Sequence, residues 1–404
     1  MPETPLPLEV PRARGYLAWL ISAWGLTIGA SAALPSVRAA FIALDHIQGS
    51  LVDLGIYLDQ AHRLLAPTPS LAPHWLYPPA SALMWLGFAP LNPELARVCW
   101  GVIEALLCLW LAVHCAALMP SLARVQRTLC AGGLVLTSLP VVHCMKWGQV
   151  SVLITLLSVL GMQRAGWMGA ALLGSAAALK LYPASYAAGY LARGQLRPVL
   201  QLMAAILALG LLLPLLILGP QISGMMIGRM LGALTGIAAM PSVDYQTLPI
   251  LLAKWFGPSS ALVEAPGPLL LSVPAWCLHA VSVAAGTACV AITWIVIRGR
   301  APGPLDASDS VSVILCATLL IEPGWVHYFA VLPLGHAILI ERLDARPRSI
   351  MLVAASFSLS AGALSACLIE PACFAFVRRA GVITVAALLC LVGLWFSTAR
   401  RRSH

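Results

Sequence analysis

Residues 199–219 read VLQLMAAILALGLLLPLLILG, with Gln201 the single polar side chain and Pro214 set among leucines. A helix of about 20 apolar residues is what a hydrocarbon core of about 30 Å requires. A surface helix of a soluble protein keeps one polar face, and this stretch has none. Further apolar runs occupy 16–34, 96–118, 128–142, 149–163, 166–192, 270–298, 309–341, 349–369 and 379–398. They are continuous rather than alternating, which excludes barrel strands. The 404-residue chain is 60% hydrophobic and 10% charged, against about 25% charged for soluble domains. That balance excludes a soluble enzyme, a disordered chain and a nucleic-acid-binding module. The net charge of +9 does not restore the last, because the charges are scattered between apolar runs. The sequence predicts one all-α polytopic integral membrane domain over 1–404.

Arginines set the expected orientation. Arg12 and Arg14 precede the first run and place a tail, 1–15, in the cytoplasm. Two runs are interrupted. Lys180, Tyr182 and Pro183 break 166–192, and Glu322-Pro323 with His327 breaks 309–341. Each half is too short for a full crossing, so short broken helices are expected there. Pro78 to Pro90 is also too short to span and reads as a re-entrant or interfacial segment. The layout has about 12 crossings (10–13), a first outer loop over 35–76, a long outer loop over 220–268 and a cytoplasmic tail over 399–404. Arg378 and Arg379 depart from it by falling outside. The eleven cysteines form no CxxC pair and read as small buried hydrophobes; Cys367 and Cys373 flank a short loop where a pairing is open.

On this layout the unusual polar residues share the outer face: Asp53, Tyr77, Lys146, Gln149, Lys180, Tyr182, Arg229, Gln246, Lys254, Glu322, Trp325, His327 and Tyr328. Ionisable groups at membrane depth are functional candidates by default. Helical spacing separates two aspartates. Asp59 meets Arg63 at i+4 as an ordinary surface pair, whereas Asp53 has Gly49 and Tyr57 at i±4, Ser50 and Ile56 at i±3, and no cationic neighbour on its own helix. A carboxylate in that setting has a raised pKa, which suits a general base.

The motifs stand in an order that resembles glycosyltransferase family 87. They are Asp53-Leu54-Gly55-Ile56-Tyr57, Tyr77-Pro78-Pro79, Gly148-Gln149, Ala178-Leu179-Lys180-Leu181-Tyr182-Pro183, Tyr245-Gln246-Thr247-Leu248 and Trp325-Val326-His327-Tyr328. Tyr245 stands where Asn is usual and Glu322 where Ser is usual. The resemblance implies a GT-C fold and a polyprenyl-phosphate sugar as donor, most often mannose. It implies an acceptor hydroxyl on a glycan or glycolipid, and a site facing the periplasm across a bacterial cytoplasmic membrane. Asp53 and His327 are then the expected catalytic residues of an inverting transfer. Lys180 and Lys146, backed by Arg229 and Lys254, are expected at the donor phosphate. Tyr57, Tyr77, Gln149, Tyr182, Gln246, Glu322, Trp325 and Tyr328 are expected at sugar or acceptor. No dinucleotide or Walker motif is present, so no nucleotide cofactor is expected, and without a DxD pair no metal is. The alternative is a lipid-linked sugar transporter, which would need a polar inner half. There the runs are almost wholly Ala, Leu, Val and Gly, with Glu104 the exception.

Overall fold

The computed structural model describes residues 10–42, 51–73, 75–239, 244–257, 268–299, 303–321, 324–343 and 347–399. It is 80% helix, and no strand occurs among the described residues. The helices run in chain order as α1 (Val10–Ser31), α2 (Pro35–Ile42), α3 (Val52–Leu65), α4 (Pro79–Leu86), α5 (Pro93–Ala117), α6 (Arg124–Leu136), α7 (Leu139–Trp147), α8 (Ser151–Met162) and α9 (Gly166–Leu179). A 3-10 turn, Tyr182–Tyr186, leads into α10 (Ala187–Ala192) and α11 (Leu196–Ile206). Then follow α12 (Leu213–Ala239), α13 (Leu248–Phe256), α14 (Ala275–Arg298) and α15 (Ala307–Leu320). A second 3-10 turn, Val326–Phe329, precedes α16 (Leu332–Glu341), α17 (Pro347–Ile369), α18 (Cys373–Ala380) and α19 (Val382–Ala399).

Among the described residues, four helices are long and apolar enough to cross a membrane: α5, Leu196–Gly232, α14 and Arg348–Ile369. The number rises to six if the bent pairs α6–α7 and α18–α19, broken by 57° and 49°, each count as one span. The expectation of about 12 crossings exceeds this because much of the apolar sequence sits in helices of 10–17 residues. α5 shows how a span divides its faces. Val98, Val102, Leu106, Leu109 and Val113 are exposed along one helical stripe, while Ala96, Trp100, Glu104, Leu107, Leu111 and Cys115 are buried on the other. An exposed apolar stripe of that length is a lipid-facing surface.

Two expectations change. The run 199–219 does not stop at its end: α11, a π-helical turn at Leu207–Leu212 and α12 form a path continuing to Ala239, kinked at Gly219 (φ 78°) and Pro220. The proposed outer loop over 220–268 is therefore helical for its first half, and α13 lies within the rest. The cause is visible in Ile222, Met225, Met226, Ile227, Met230 and Leu231, which prolong the apolar pattern past the proline. Cys367 and Cys373 are both free thiols.

Small residues set the closest packing. A Cβ added to Gly25 on α1 would lie 2.3 Å from Gly133 Cα on α6, so these backbones touch only because both positions are glycine. The bundle also has two chemically different ends. At one end Arg14 donates to Ser121 Oγ, which donates to Glu341 on α16; Arg193 pairs with Asp309 at the start of α15; and Arg342 donates to Ser308. Leu305 N–H donates to Met162 O at the end of α8, which ties that helix to the same rim. From there α8, α9, α15 and α16 run to the opposite end, about 18 Å away for twelve helical residues. The groups described next collect at that opposite end.

Candidate active site

The site starts at a helix stop. α7 ends because Gly148 takes a left-handed conformation (φ 67°, ψ 40°), with its N–H on Met145 O and the next N–H on Cys144 O. A Cβ on Gly148 would come within 2.8 Å of Leu54 Cβ, so glycine also lets α3 approach. Leu51 precedes α3 with φ 60°, a costly conformation for a branched residue, and its N–H donates to Lys146 O at 2.5 Å. This elbow against α3 sets Gln149 beside Asp53 in the first turn of that helix.

Gln149 bridges three sequence-distant elements. Its Nε2 donates to Asp53 Oδ2, and its Oε1 accepts from Lys180 Nζ at 2.7 Å and from Tyr57 OH at 3.1 Å. The amide orientation follows from its neighbours, since a carboxylate only accepts and an ammonium only donates. Lys180 stands where α9 breaks before the 3-10 turn and is 4% exposed; Asp53 is 9% exposed. The Lys180 ammonium lies 4.6 Å from the Tyr328 ring centroid and 5.7 Å from that of Tyr77. Tyr182 stacks on Tyr328 at 4.6 Å.

His327 Nε2 lies 3.5 Å from Lys180 Nζ. Because an ammonium cannot accept, Nε2 is the acceptor and the ring proton belongs on Nδ1. Nδ1 is buried and has no hydrogen-bond partner among the described residues, so it is a spare donor beside the site.

Behind Asp53 is an aromatic box. Tyr57 stacks on Trp85 at 4.6 Å and meets Tyr77 edge-on at 5.0 Å, while Trp85 packs on Trp100. The connection holding Trp75 and Tyr77 is pinned at Ala72, whose N–H donates to Gln60 and whose carbonyl accepts from Arg229. This wall excludes water. Burial accordingly raises the Asp53 carboxyl well above the usual carboxylate range, and the Lys180 charge opposes that shift. Burial also raises the Tyr57 and Tyr77 phenols, which stay neutral.

The structure thus brings Asp53, Tyr57, Tyr77, Gln149, Lys180, Tyr182, His327 and Tyr328 together. Arg229 stands at one side, on the Ala72 carbonyl. Lys146 is buried on α7, 5.9 Å from the Trp147 ring centroid, with its carbonyl holding Leu51. Gln246 and Lys254 lie in an adjoining cluster. Lys254 donates to the carbonyls of Tyr245 and Arg378, both at 2.7 Å, and burial lowers it to about 7. Gln246 also donates to Arg378 O, and Arg378 pairs with Asp244. Trp325 joins the two clusters, edge-on to Tyr245 at 5.2 Å and parallel to His327 at 6.5 Å. Glu322 lies outside the described residues. Among the described residues no three His, Cys, Asp or Glu groups stand close enough to hold a metal.

Sequence reasoning passed over His143 and Phe374. The His143 ring is stacked between His327 at 5.6 Å and Phe374 at 5.5 Å, backing the His327 imidazole. The signal was present as a histidine three residues before Lys146 at the end of an apolar run.

Residues 75–323, more than half of the chain, match the model of a family described as Glycosyltransferase family 87. The match holds Tyr77, Gln149, Lys180 and Gln246; Asp53 precedes it, His327 lies just past its end, and both join these groups through the contacts above. No curated protein and no solved structure matches the chain.

Proposed function

The chain belongs to glycosyltransferase family 87 and is a membrane glycosyltransferase, and from that premise we propose that it moves a sugar from a polyprenyl phosphate to an acceptor hydroxyl with Asp53 as base. The proposed sugar is mannose and the acceptor a glycan or glycolipid. The site lies on the outer face of the cytoplasmic membrane, with both termini inside.

One observation carries this reading. A buried carboxylate and a buried ammonium, from helices far apart in sequence, are held on one glutamine amide. In a single displacement Asp53 takes the proton of the acceptor hydroxyl. The acceptor oxygen forms the new bond to the anomeric carbon while the bond from that carbon to the phosphate oxygen breaks, inverting the centre. The leaving polyprenyl phosphate keeps the electron pair and needs positive charge rather than an acid. Lys180 supplies that charge and His327 Nδ1–H donates to a phosphate or sugar oxygen. Lys146 and Arg229 are proposed to add to the positive potential, whereas Lys254, lowered to about 7 by burial and held by two carbonyls, contributes less. Tyr57, Tyr77, Tyr182 and Tyr328 provide neutral hydroxyls and ring faces for the sugar, and Trp325 and Gln246 border the acceptor side. Glu322 is proposed there by its place beside Trp325 in the sequence.

The test offers the purified chain labelled polyprenyl-phosphate sugars and nucleotide sugars in parallel, with products read by mass spectrometry. Consumption of a polyprenyl-phosphate sugar with release of polyprenyl phosphate is expected. Consumption of nucleotide sugars alone would overturn the donor assignment.

Gly148→Ala tests how the bridge is built. The added methyl meets Leu54 and forces a left-handed alanine, at a cost of about 1–2 kcal/mol. Asp53 and Gln149 should separate, and turnover should fall about tenfold or more, since small misplacements in a positioned site are costly. Wild-type turnover in Gly148→Ala would show that the elbow does not set the site.

A further inference from the structure

A 3-10 turn of four residues, Val326–Phe329, carries His327, which is 3% exposed. Rotation of an imidazole about its Cβ–Cγ bond is soft, and a turn this short does not by itself fix the ring. Polar contacts hold it weakly. The approach of Nε2 to Lys180 Nζ, 3.5 Å, is long for a hydrogen bond, and Nδ1 has no hydrogen-bond partner among the described residues. The plane of the ring is therefore set by what packs against it.

What packs against it is flat. His143 lies on His327 with centroids 5.6 Å apart and planes 15° apart. Phe374 lies on His143 at 5.5 Å and 18°, and Trp325 lies parallel to His327 at 6.5 Å and 6°. Four rings from three parts of the chain thus follow one another with nearly parallel planes, at separations typical of offset stacking. His143 is itself confined. Trp147, one turn further along α7, stacks on it at 5.8 Å, and the Arg378 guanidinium covers Phe374 at 5.4 Å. Most of the buried interior is aliphatic. A branched aliphatic side chain would fill the place of His143 but offer no plane for an imidazole to lie on.

We propose that His143 is a positioning residue of the transfer: by stacking on His327 it holds the imidazole in the plane in which Nε2 meets Lys180 and the Nδ1 proton points at the donor. Within that plane the Lys180 contact selects one ring orientation. Tilting the ring out of it takes Nε2 off Lys180 and turns the Nδ1 proton away from the oxygen it is to meet. The proposal rests on the reading above for that oxygen, and on the ring geometry alone for the fixed imidazole.

Two measurements on the full-length protein in nanodiscs test it, with His143→Leu and His143→Phe compared. Leucine keeps the site apolar and filled but removes the plane, and phenylalanine keeps the plane. The first measurement is the imidazole ¹⁵N spectrum, with His327 assigned by its loss in His327→Gln. Wild type and His143→Phe should show His327 as a single Nδ1–H tautomer, and His143→Leu should show both tautomers. The second is kcat. His143→Leu should lose about tenfold or more, His143→Phe should stay within about threefold of wild type, and His143→Leu should cost nothing further in a His327→Gln background. A single His327 tautomer in His143→Leu, or an equal loss in both backgrounds, would overturn the proposal. If wild type consumes no polyprenyl-phosphate sugar, the donor reading fails by itself, and the ¹⁵N comparison still decides whether His143 fixes His327.

Discussion

Asp53→Asn is expected to lower kcat by about 10³-fold while donor KM stays within about threefold. The substitution keeps the shape, and the new amide oxygen can still accept from Gln149, so the bridge to Lys180 survives. Only proton acceptance is lost. The same variant makes a prediction for stability with a definite sign. Burial raises the Asp53 pKa in the folded protein, so above that pKa the ionised carboxylate costs folding free energy. Asparagine removes the cost, and the melting temperature should hold or rise. A residue present only for structure would behave in the opposite way, losing stability and activity together. Wild-type turnover should fall as pH drops through the raised Asp53 pKa, because the base acts only when ionised, and thermal unfolding with pH-rate profiles would read both effects.

Lys180→Met has the second large effect, a loss of about 10²–10³ in kcat, the scale expected when charge aimed at a developing anion is removed. It also moves the pH profile. The Lys180 ammonium opposes the upward shift of Asp53, so its removal lets that pKa climb further and carries the acid limb of the rate profile to higher pH. Lys180→Arg keeps the charge and should leave the limb near its wild-type position, even where altered geometry costs turnover. A limb unmoved in Lys180→Met would place the ammonium outside the electrostatic field of Asp53, whatever happens to the rate.

Much of this site was legible because charge in an apolar run has no bland explanation. Lys180 interrupts a stretch of alanine and leucine, and the structure breaks α9 at that residue. Asp53 and Asp59 were separable by spacing alone: Arg63 binds Asp59 at 2.9 Å on an exposed face, and Asp53 turns to Gln149 instead. Gly148-Gln149 carried two signals in one pair, a backbone that only glycine tolerates easily and an amide that both donates and accepts.

What was not legible depends on satisfaction by backbone, which leaves no mark in a sequence. Lys254 resembled Lys180 as a lone lysine beside apolar residues, yet two carbonyls already hold its ammonium. Gln246 likewise spends its amide on Arg378 O. Arg378, which violated the expected charge asymmetry, is neutralised by Asp244 and packs over Phe374 at 5.4 Å. The end of the 199–219 helix was misplaced because Pro220 reads as a stop, whereas Gly219 absorbs the kink and the apolar face continues.

In the proposed reaction Asp53 is the base of a transfer from a lipid phosphate. Single-turnover consumption of the polyprenyl-phosphate sugar, with saturating acceptor and across pH, tests it most directly in wild type and Asp53→Asn. The wild-type rate should fall with acid, and the Asp53→Asn rate should be lower by about 10³-fold with no acid limb. An Asp53→Asn enzyme that keeps both the wild-type rate and its acid limb would contradict it.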